Sequence, residues 1–124
     1  MWAPRLAAAL ALAAVSAPPA ARAADPVALG RELYVERCVL CHGTRGHGWE
    51  WNQKVMKPPV PVPDLAETVP RLKDDYLRAI ILDGGEAVGK TRFMPAFRFN
   101  MGEGEAEALI KYLRSVAAGS ARAR

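Results

Sequence analysis

The sequence predicts an all-α domain. Three segments carry apolar residues at steps of three and four, which is the spacing of one helix face. No segment alternates clearly between apolar and polar residues as a half-buried strand would, and stretches rich in Gly and Pro separate the helical segments. With 124 residues, 51% hydrophobic and 24% charged, the chain has the composition of one globular domain rather than two.

Residues 1–23 are predicted to be a signal peptide that does not belong to the fold. Arg5 precedes an apolar run over residues 6–15, and Ala21-Arg22-Ala23 forms a small-residue cleavage motif. The run is about half of the roughly 20 residues that a membrane-spanning helix needs, so a membrane anchor is disfavoured. We expect export to the periplasm, cleavage after Ala23, no membrane insertion of the mature protein, and a single domain over residues 24–124.

The charge pattern argues against nucleic-acid binding. Two of the 17 basic residues, Arg5 and Arg22, leave with the predicted signal peptide, and the 13 acidic residues nearly balance the rest. The sequence has no run of Lys and Arg, and it has no glycine-rich loop of the kind that binds nucleotide phosphates. Two cysteines are too few for a disulfide framework or a four-thiolate zinc site.

The first helix is predicted from Asp25 to Cys41. Asp25 is a suitable N-cap and Pro26 suits the first helical position. The predicted buried face comprises Val27, Gly30, Leu33, Tyr34, Cys38 and Cys41. Residues 43–63 then contain three Gly and four Pro, so they are predicted to form a long covering loop rather than a strand.

The second half of the chain contains the other helices. Residues 64–67 fit a capping box followed by a short helical turn, which Pro70 is predicted to end. The next helix is predicted over residues 74–83, with Gly84 and Gly85 as its C-cap, followed by a loop over residues 84–99. Residues 100–103 resemble the capping box of a last helix that ends near Val116, and residues 117–124 are predicted to be a frayed tail.

The segment Cys38-Val39-Leu40-Cys41-His42 matches C-x-x-C-H, the attachment motif for c-type haem. Two thiols three residues apart at the end of a helix can form thioether bonds to the two vinyl groups of one porphyrin. His42 is then held under the iron as the proximal ligand. Its other ring nitrogen is expected to donate a hydrogen bond to a backbone carbonyl, which fixes the tautomer.

The same residues allow three alternatives to haem attachment. A thioredoxin-like thiol pair requires a βαβ context that the sequence does not predict. A zinc site formed by Cys38, Cys41, His42 and His47 lacks the usual separation between ligand pairs. A plain disulfide between the two cysteines stays possible in an exported protein. The adjacent His42 and the predicted signal peptide favour haem.

An electron-transfer haem also needs a ligand on its second face. Met94 lies 52 residues after His42 in the loop 84–99, and Pro95 follows it directly. Met56 in the Pro-rich loop is the second candidate, whereas Met101 is expected to fill the core. His47 is too close to His42 in sequence to reach the opposite face.

The chain resembles the class I cytochromes c, which are small soluble monohaem proteins. The resemblance rests on Gly30-x-x-x-Tyr34-x-x-x-Cys38-x-x-Cys41-His42-Gly43, Pro63-Asp64-Leu65, Met94-Pro95-Ala96-Phe97 and Leu109-Ile110-x-Tyr112-Leu113. It implies three main helices and a short helical turn around one covalent haem c, with His42 and Met94 as axial ligands. It also implies that Gly30 lets the first and last helices cross closely.

Further site residues are expected around such a haem. Candidates for contacts with its negatively charged propionates are Arg45, Trp49, Trp51, Asn52 and Lys54. A basic group near Met94, formed by Lys90, Arg92 and Arg98, is expected to dock an acidic patch on a redox partner.

With His/Met ligation the expected function is one-electron transfer rather than enzymatic catalysis. The protein is expected to be a monomeric carrier or a weakly associated subunit of a complex. The alternatives are a small haem subunit dedicated to a periplasmic dehydrogenase or oxidase, and a five-coordinate haem sensor or peroxidase-like protein.

Overall fold

The computed structural model describes residues 25–48 and 58–123, and these ranges contain helices but no strands. The predicted signal peptide, Met56 and four predicted propionate contacts (Trp49, Trp51, Asn52 and Lys54) lie outside the described residues. Within the described ranges no helix combines the length and the apolar character that a bilayer-spanning segment needs. The prediction of an all-α fold is confirmed.

The first predicted helix is divided into two. Helix α1 spans Pro26–Arg37, and the Asp25 carboxylate accepts a hydrogen bond from the Val27 N–H at 3.0 Å. Cys38 then interrupts the helix (φ −115°, ψ −30°), and α2 spans Val39–His42. The prediction of one continuous helix to Cys41 was wrong because the apolar spacing continues across the break and does not reveal it.

Helix α3 spans Leu65–Thr68 and begins as predicted. The Asp64 carboxylate accepts hydrogen bonds from the N–H groups of Ala66 (2.8 Å) and Glu67 (3.3 Å). A 3₁₀ turn over Val69–Arg71 continues the chain, so Pro70 does not end the helix there. The Pro70 ring is tolerated because the first positions of a helical turn need no N–H donor.

Helix α4 spans Asp74–Ala87, but its regular part ends at Gly84 (φ 85°, ψ 170°), as the Gly84-Gly85 pair predicts. Helix α5 spans Glu103–Arg122. Its N-cap is Gly102, whose N–H donates to the Glu105 carboxylate at 2.9 Å, so the predicted capping box over residues 100–103 is displaced by two residues.

The C-terminal end of α5 also differs from the prediction. The helix continues six residues beyond Val116, so residues 117–122 of the predicted frayed tail are helical. Ala117 is only 4% exposed, which shows that the packed face extends past the end of the large apolar side chains. An alanine contributes too weak an apolar signal for the sequence to predict this extension.

The core lies where α5 packs against α1, α3 and α4. Its largest fully buried side chains include Tyr34, Leu82, Leu109 and Ile110. The ring centres of Tyr34 and Tyr112 lie 5.4 Å apart at the crossing of α1 and α5. Met101, 3% exposed, belongs to the same cluster, which confirms its predicted role in the core.

Candidate functional site

Two adjoining cavities, of about 310 and 450 Å³, occupy the middle of the described domain. The smaller lies among α2, the segment 58–63 and the loop that carries Met94, and the larger extends between α1, α3, α4 and α5. The two share walls formed by Cys38, His42, Pro61, Pro63, Thr91 and Met94. Their common walls make them one compartment, which we call the central cavity.

The walls of the central cavity are mainly apolar. The larger part is lined by helix side chains such as Leu77, Ile81 and Leu109. The smaller part opens past Leu40 and Phe93, which are 40% and 48% exposed. A large apolar compartment with a few polar groups is the usual form of a cofactor site.

The two cysteines line this cavity as free thiols. Cys38 borders both parts of it and Cys41 borders the smaller part, and they are not joined by a disulfide. Burial raises the pKa of the Cys38 thiol to about 12, and burial also raises the pKa of Cys41. Burial therefore favours the neutral thiol form of both side chains.

His42 lies at the end of α2 and borders both parts of the cavity. Burial lowers its pKa to about 4, so the imidazole is neutral at pH 7 and offers a free lone pair. Its Nδ1 atom is buried and has no hydrogen-bond partner among the described residues, so the predicted bond to a backbone carbonyl is not formed by that atom. A buried polar atom without a partner indicates that the site is completed by another group.

Met94 is the one methionine of the described residues that lines the cavity, since Met101 lies in the core. The Gly85 N–H donates to the Met94 carbonyl at 2.9 Å. A Cβ on Gly85 would lie 2.2 Å from the carbonyl oxygen of Thr91 and 3.2 Å from the Met94 Cβ. The missing side chain at Gly85 therefore lets the loop carrying Met94 pack closely against α4.

His47 is not part of the central cavity. Its Nδ1–H donates to Asp64 Oδ2 at 2.8 Å, which fastens the turn after α2 to the start of α3. The zinc set that includes His47 is therefore not assembled, and the described residues contain no other cluster of three metal-binding side chains.

The basic residues predicted to contact the propionates or a partner protein differ in their positions relative to the cavity. Lys90 lines the larger part of the cavity, and the Arg92 guanidinium lies 6.0 Å from the centre of the Phe93 ring. Arg45 is exposed and lines neither part. Arg98 pairs with Asp83 and Glu103, so its charge is offset and we remove it from the predicted docking group.

Several residues that shape the site are not among the predicted site residues. Pro61 and Pro63 form shared walls of the cavity, and Phe93 borders its opening. The partner of Arg98 was also missed, although Asp83 stands directly before the Gly84-Gly85 pair that predicts the end of a helix.

The helices, the free thiol pair and the neutral imidazole beside one apolar cavity define a c-type cytochrome domain. Residues 25–113 match the family described as cytochrome c oxidase, cbb3-type, subunit III. The chain belongs to this family, which makes haem-based electron transfer its function. No curated protein shows a significant match to the chain.

Proposed function

We propose that the protein is a periplasmic one-electron carrier with a single covalent haem c. Cys38 and Cys41 form the thioether bonds, and His42 and Met94 are the axial ligands. The observation that carries this proposal is that Cys38, His42 and Met94 line the same central cavity although Met94 is distant in sequence. Bound haem supplies one-electron exchange at its iron.

The residues of the chain suit this cofactor. His42 presents a neutral imidazole because burial lowers its pKa to about 4, and no proton has to leave before it binds a metal. The Met94 thioether favours the reduced state and raises the reduction potential. The apolar walls act in the same direction, since they disfavour the additional positive charge of the oxidised state. We therefore expect a positive midpoint potential.

Periplasmic location is supported by the sequence pattern of residues 1–23, with an apolar run that ends in Ala21-Arg22-Ala23. Docking is assigned to the cavity opening. Lys90 and Arg92 lie on the loop that carries Met94, beside the half-exposed ring of Phe93. A small apolar contact surrounded by cations suits a brief encounter with an acidic redox protein.

A second function, that of a haem subunit within a terminal oxidase, is favoured by the description of the matching family. Both functions use the same haem, and they differ in whether the protein leaves its partner between electron transfers. Purification under mild conditions distinguishes them. A carrier elutes alone, whereas a subunit co-purifies in stoichiometric amount with a membrane complex.

The haem proposal is tested by a pyridine haemochrome spectrum of protein expressed with the haem-attachment machinery. We expect a c-type spectrum and a pigment that acidified acetone does not extract. The double variant Cys38→Ala/Cys41→Ala is expected to yield protein from which the same treatment removes any pigment. A colourless wild-type protein, or an extractable pigment, contradicts covalent attachment.

The ligand proposal is tested with Met94→Leu, which removes the thioether but keeps a side chain of similar size. Loss of the methionine-to-iron charge-transfer band of the ferric protein is expected. The matched control is Met101→Leu, because Met101 is buried in the core and does not line the cavity. Retention of the band in Met94→Leu contradicts ligation by Met94. Rapid binding of CO by the reduced wild-type protein would instead indicate an open coordination position.

A further inference from the structure

The loop that carries Met94 leaves α4 after Asp83 and ends at Arg98, where an ion-pair cluster closes it. The Arg98 guanidinium forms a two-pronged contact with the Asp83 carboxylate, with Nε to Oδ1 at 2.6 Å and Nη2 to Oδ2 at 2.9 Å. Its Nη1 donates to Glu103 Oε1 at 3.0 Å. One side chain thus connects α4, the end of the loop and the first residue of α5.

The main chain at the end of this loop is held at the same place. The Arg98 N–H donates to the Leu82 carbonyl at 3.0 Å, and the Phe97 N–H lies within hydrogen-bond distance of the carbonyls of Ile81 and Leu82. The backbone of Arg98 therefore binds Leu82 of α4, while its side chain binds the next residue, Asp83. This fixes both the position and the direction in which the chain returns from Met94.

The loop has little apolar burial to hold it otherwise. Pro95, Ala96 and Phe99 are exposed, and Phe99 is 83% exposed. Phe97 alone of the residues 95–99 packs on the core cluster. Where apolar contacts are few, the populations of closed and open loop depend on polar contacts. A two-pronged contact between guanidinium and carboxylate is the strongest surface contact of this kind because it fixes orientation as well as distance.

From these contacts we propose that Asp83, Arg98 and Glu103 form a staple that positions the Met94 loop and so keeps the Met94 thioether on the iron. Arg98 is a positioning residue, since it acts on the iron only through the loop. The inference rests on the proposed ligation by Met94. It gives Arg98 a role different from the partner docking that the sequence predicts for it.

The staple continues into a wider network of charges. The Glu103 carboxylate also lies 3.6 Å from Arg78 Nε, and Arg78 donates to Glu107 at 2.8 Å. Arg78 lies on α4 and Glu107 on α5, so the network holds these two helices at the end of the loop. Because all these groups are partly exposed, added salt is expected to weaken the staple.

The test uses the complete haem-loaded protein and free imidazole, which competes with Met94 for the iron. If the staple keeps the loop closed, Arg98→Gln populates the open loop and imidazole binds more tightly, by about threefold. Binding is followed by loss of the methionine-to-iron band. Asp83→Asn is expected to give a similar change, and the double variant no more than the larger single change, because both remove one contact.

Two further variants separate positioning from charge. Lys111→Gln removes an equal charge, but Lys111 is exposed on α5 and lines neither part of the cavity, so the imidazole affinity of this variant is expected to equal that of the wild type. Arg98→Lys keeps the charge but loses the two-pronged contact, and an intermediate affinity is expected.

The outcomes are distinguishable. An unchanged imidazole affinity in Arg98→Gln overturns the inference, even if the variant unfolds at a lower temperature, since that result shows a role in stability alone. Equal increases in Arg98→Gln and Lys111→Gln overturn it in favour of a simple effect of charge. Retention of the methionine-to-iron band by Met94→Leu removes the premise, and that failure belongs to the proposed ligation rather than to the staple.

Discussion

Gly30 on α1 packs directly against the backbone carbonyl of Ala108 on α5. A Cβ added at Gly30 would lie 2.1 Å from that oxygen and 2.8 Å from the Cβ of Tyr112. The two helices therefore touch through their backbones, and the Tyr34 and Tyr112 rings pack beside the contact. The crossing places α2, which follows directly on α1, at the central cavity.

The substitution Gly30→Ala is expected to destabilise the protein by about 2 kcal/mol or more, because the helices must move apart to admit the methyl group. Urea unfolding of the haem-loaded protein, followed by circular dichroism, measures this change. The control is Gly119→Ala on the exposed part of α5, where an added Cβ meets no atom within 4 Å. There the higher helix propensity of Ala should stabilise by up to about 1 kcal/mol. A Gly30→Ala protein as stable as the wild type contradicts close backbone contact.

Much of the fold followed from local sequence signals. Asp64 predicts the start of α3, and the Gly84-Gly85 pair predicts the end of the regular part of α4. The break at Cys38 was not predictable from periodicity, because the residues on both sides belong to the same apolar pattern. The predicted cap at Asn100 was wrong because that residue contacts another helix. Arg37 donates to its carbonyl oxygen at 2.8 Å, and Gly102 caps α5 instead.

The site also has residues that the sequence predicts and contacts that it does not predict. Cys38, Cys41 and His42 follow from one short motif, and Met94 was selected by its place in a loop between two helices. What the sequence could not reveal is pairing across the fold. The carboxylates that offset Arg98 come from α4 and α5, and nothing local to Arg98 identifies them. A basic residue in a loop therefore predicts a positive surface only if no carboxylate from another part of the fold pairs with it.

Asp64 both caps α3 and binds His47, so removing its side chain has two effects. Asp64→Ala is expected to lower the free energy of unfolding by about 1–2 kcal/mol, mainly through loss of the cap. Asp64→Asn keeps an oxygen that can accept the N–H groups of Ala66 and Glu67, but it loses the negative charge beside His47. We expect Asp64→Asn to lie between the wild type and Asp64→Ala in a denaturant titration. Equal losses in both variants would show that the charge, rather than the cap, determines the effect.

The same residue gives a dependence of stability on pH. Burial raises the pKa of Asp64, but hydrogen bonds from His47, Ala66 and Glu67 outweigh it and hold the pKa below its ordinary value. A carboxyl group with a lowered pKa in the folded state stabilises fully above its ordinary pKa of about 3.9 and loses this contribution as the pH falls through the folded value. The stability difference between wild type and Asp64→Asn should therefore shrink on acidification below about pH 4. A difference that is constant between neutral pH and pH 3 would contradict this assignment.

Gly85→Ala should disturb the loop that carries Met94. The added Cβ would lie 2.2 Å from the carbonyl oxygen of Thr91, so the loop must move away from α4. We expect a weaker methionine-to-iron band together with a loss of stability of about 1–3 kcal/mol. Gly104→Ala at the start of α5 is the matched control, since a Cβ there meets no atom within 4 Å. A normal band in Gly85→Ala would show that the loop adapts without moving the Met94 side chain.

The proposed docking surface makes the rate of electron transfer depend on local charge. Lys90 and Arg92 lie on the loop beside the cavity, so an anionic oxidant such as ferricyanide should react faster than its potential alone predicts, and added salt should slow it. The formal charge is +4 for the full chain and +2 once Arg5 and Arg22 leave with the proposed signal peptide, so the effect of net charge must be separated from that of the loop. Arg92→Gln and Lys111→Gln lower the net charge equally, but Lys111 is exposed on α5 and lines neither part of the cavity.

We expect Arg92→Gln to slow the reaction at low salt by a larger factor than Lys111→Gln, and both to approach the wild-type rate as the ionic strength rises. With a cationic oxidant the order of the variants should reverse. Equal effects of the two substitutions would assign the salt dependence to net charge and remove the docking role from this loop.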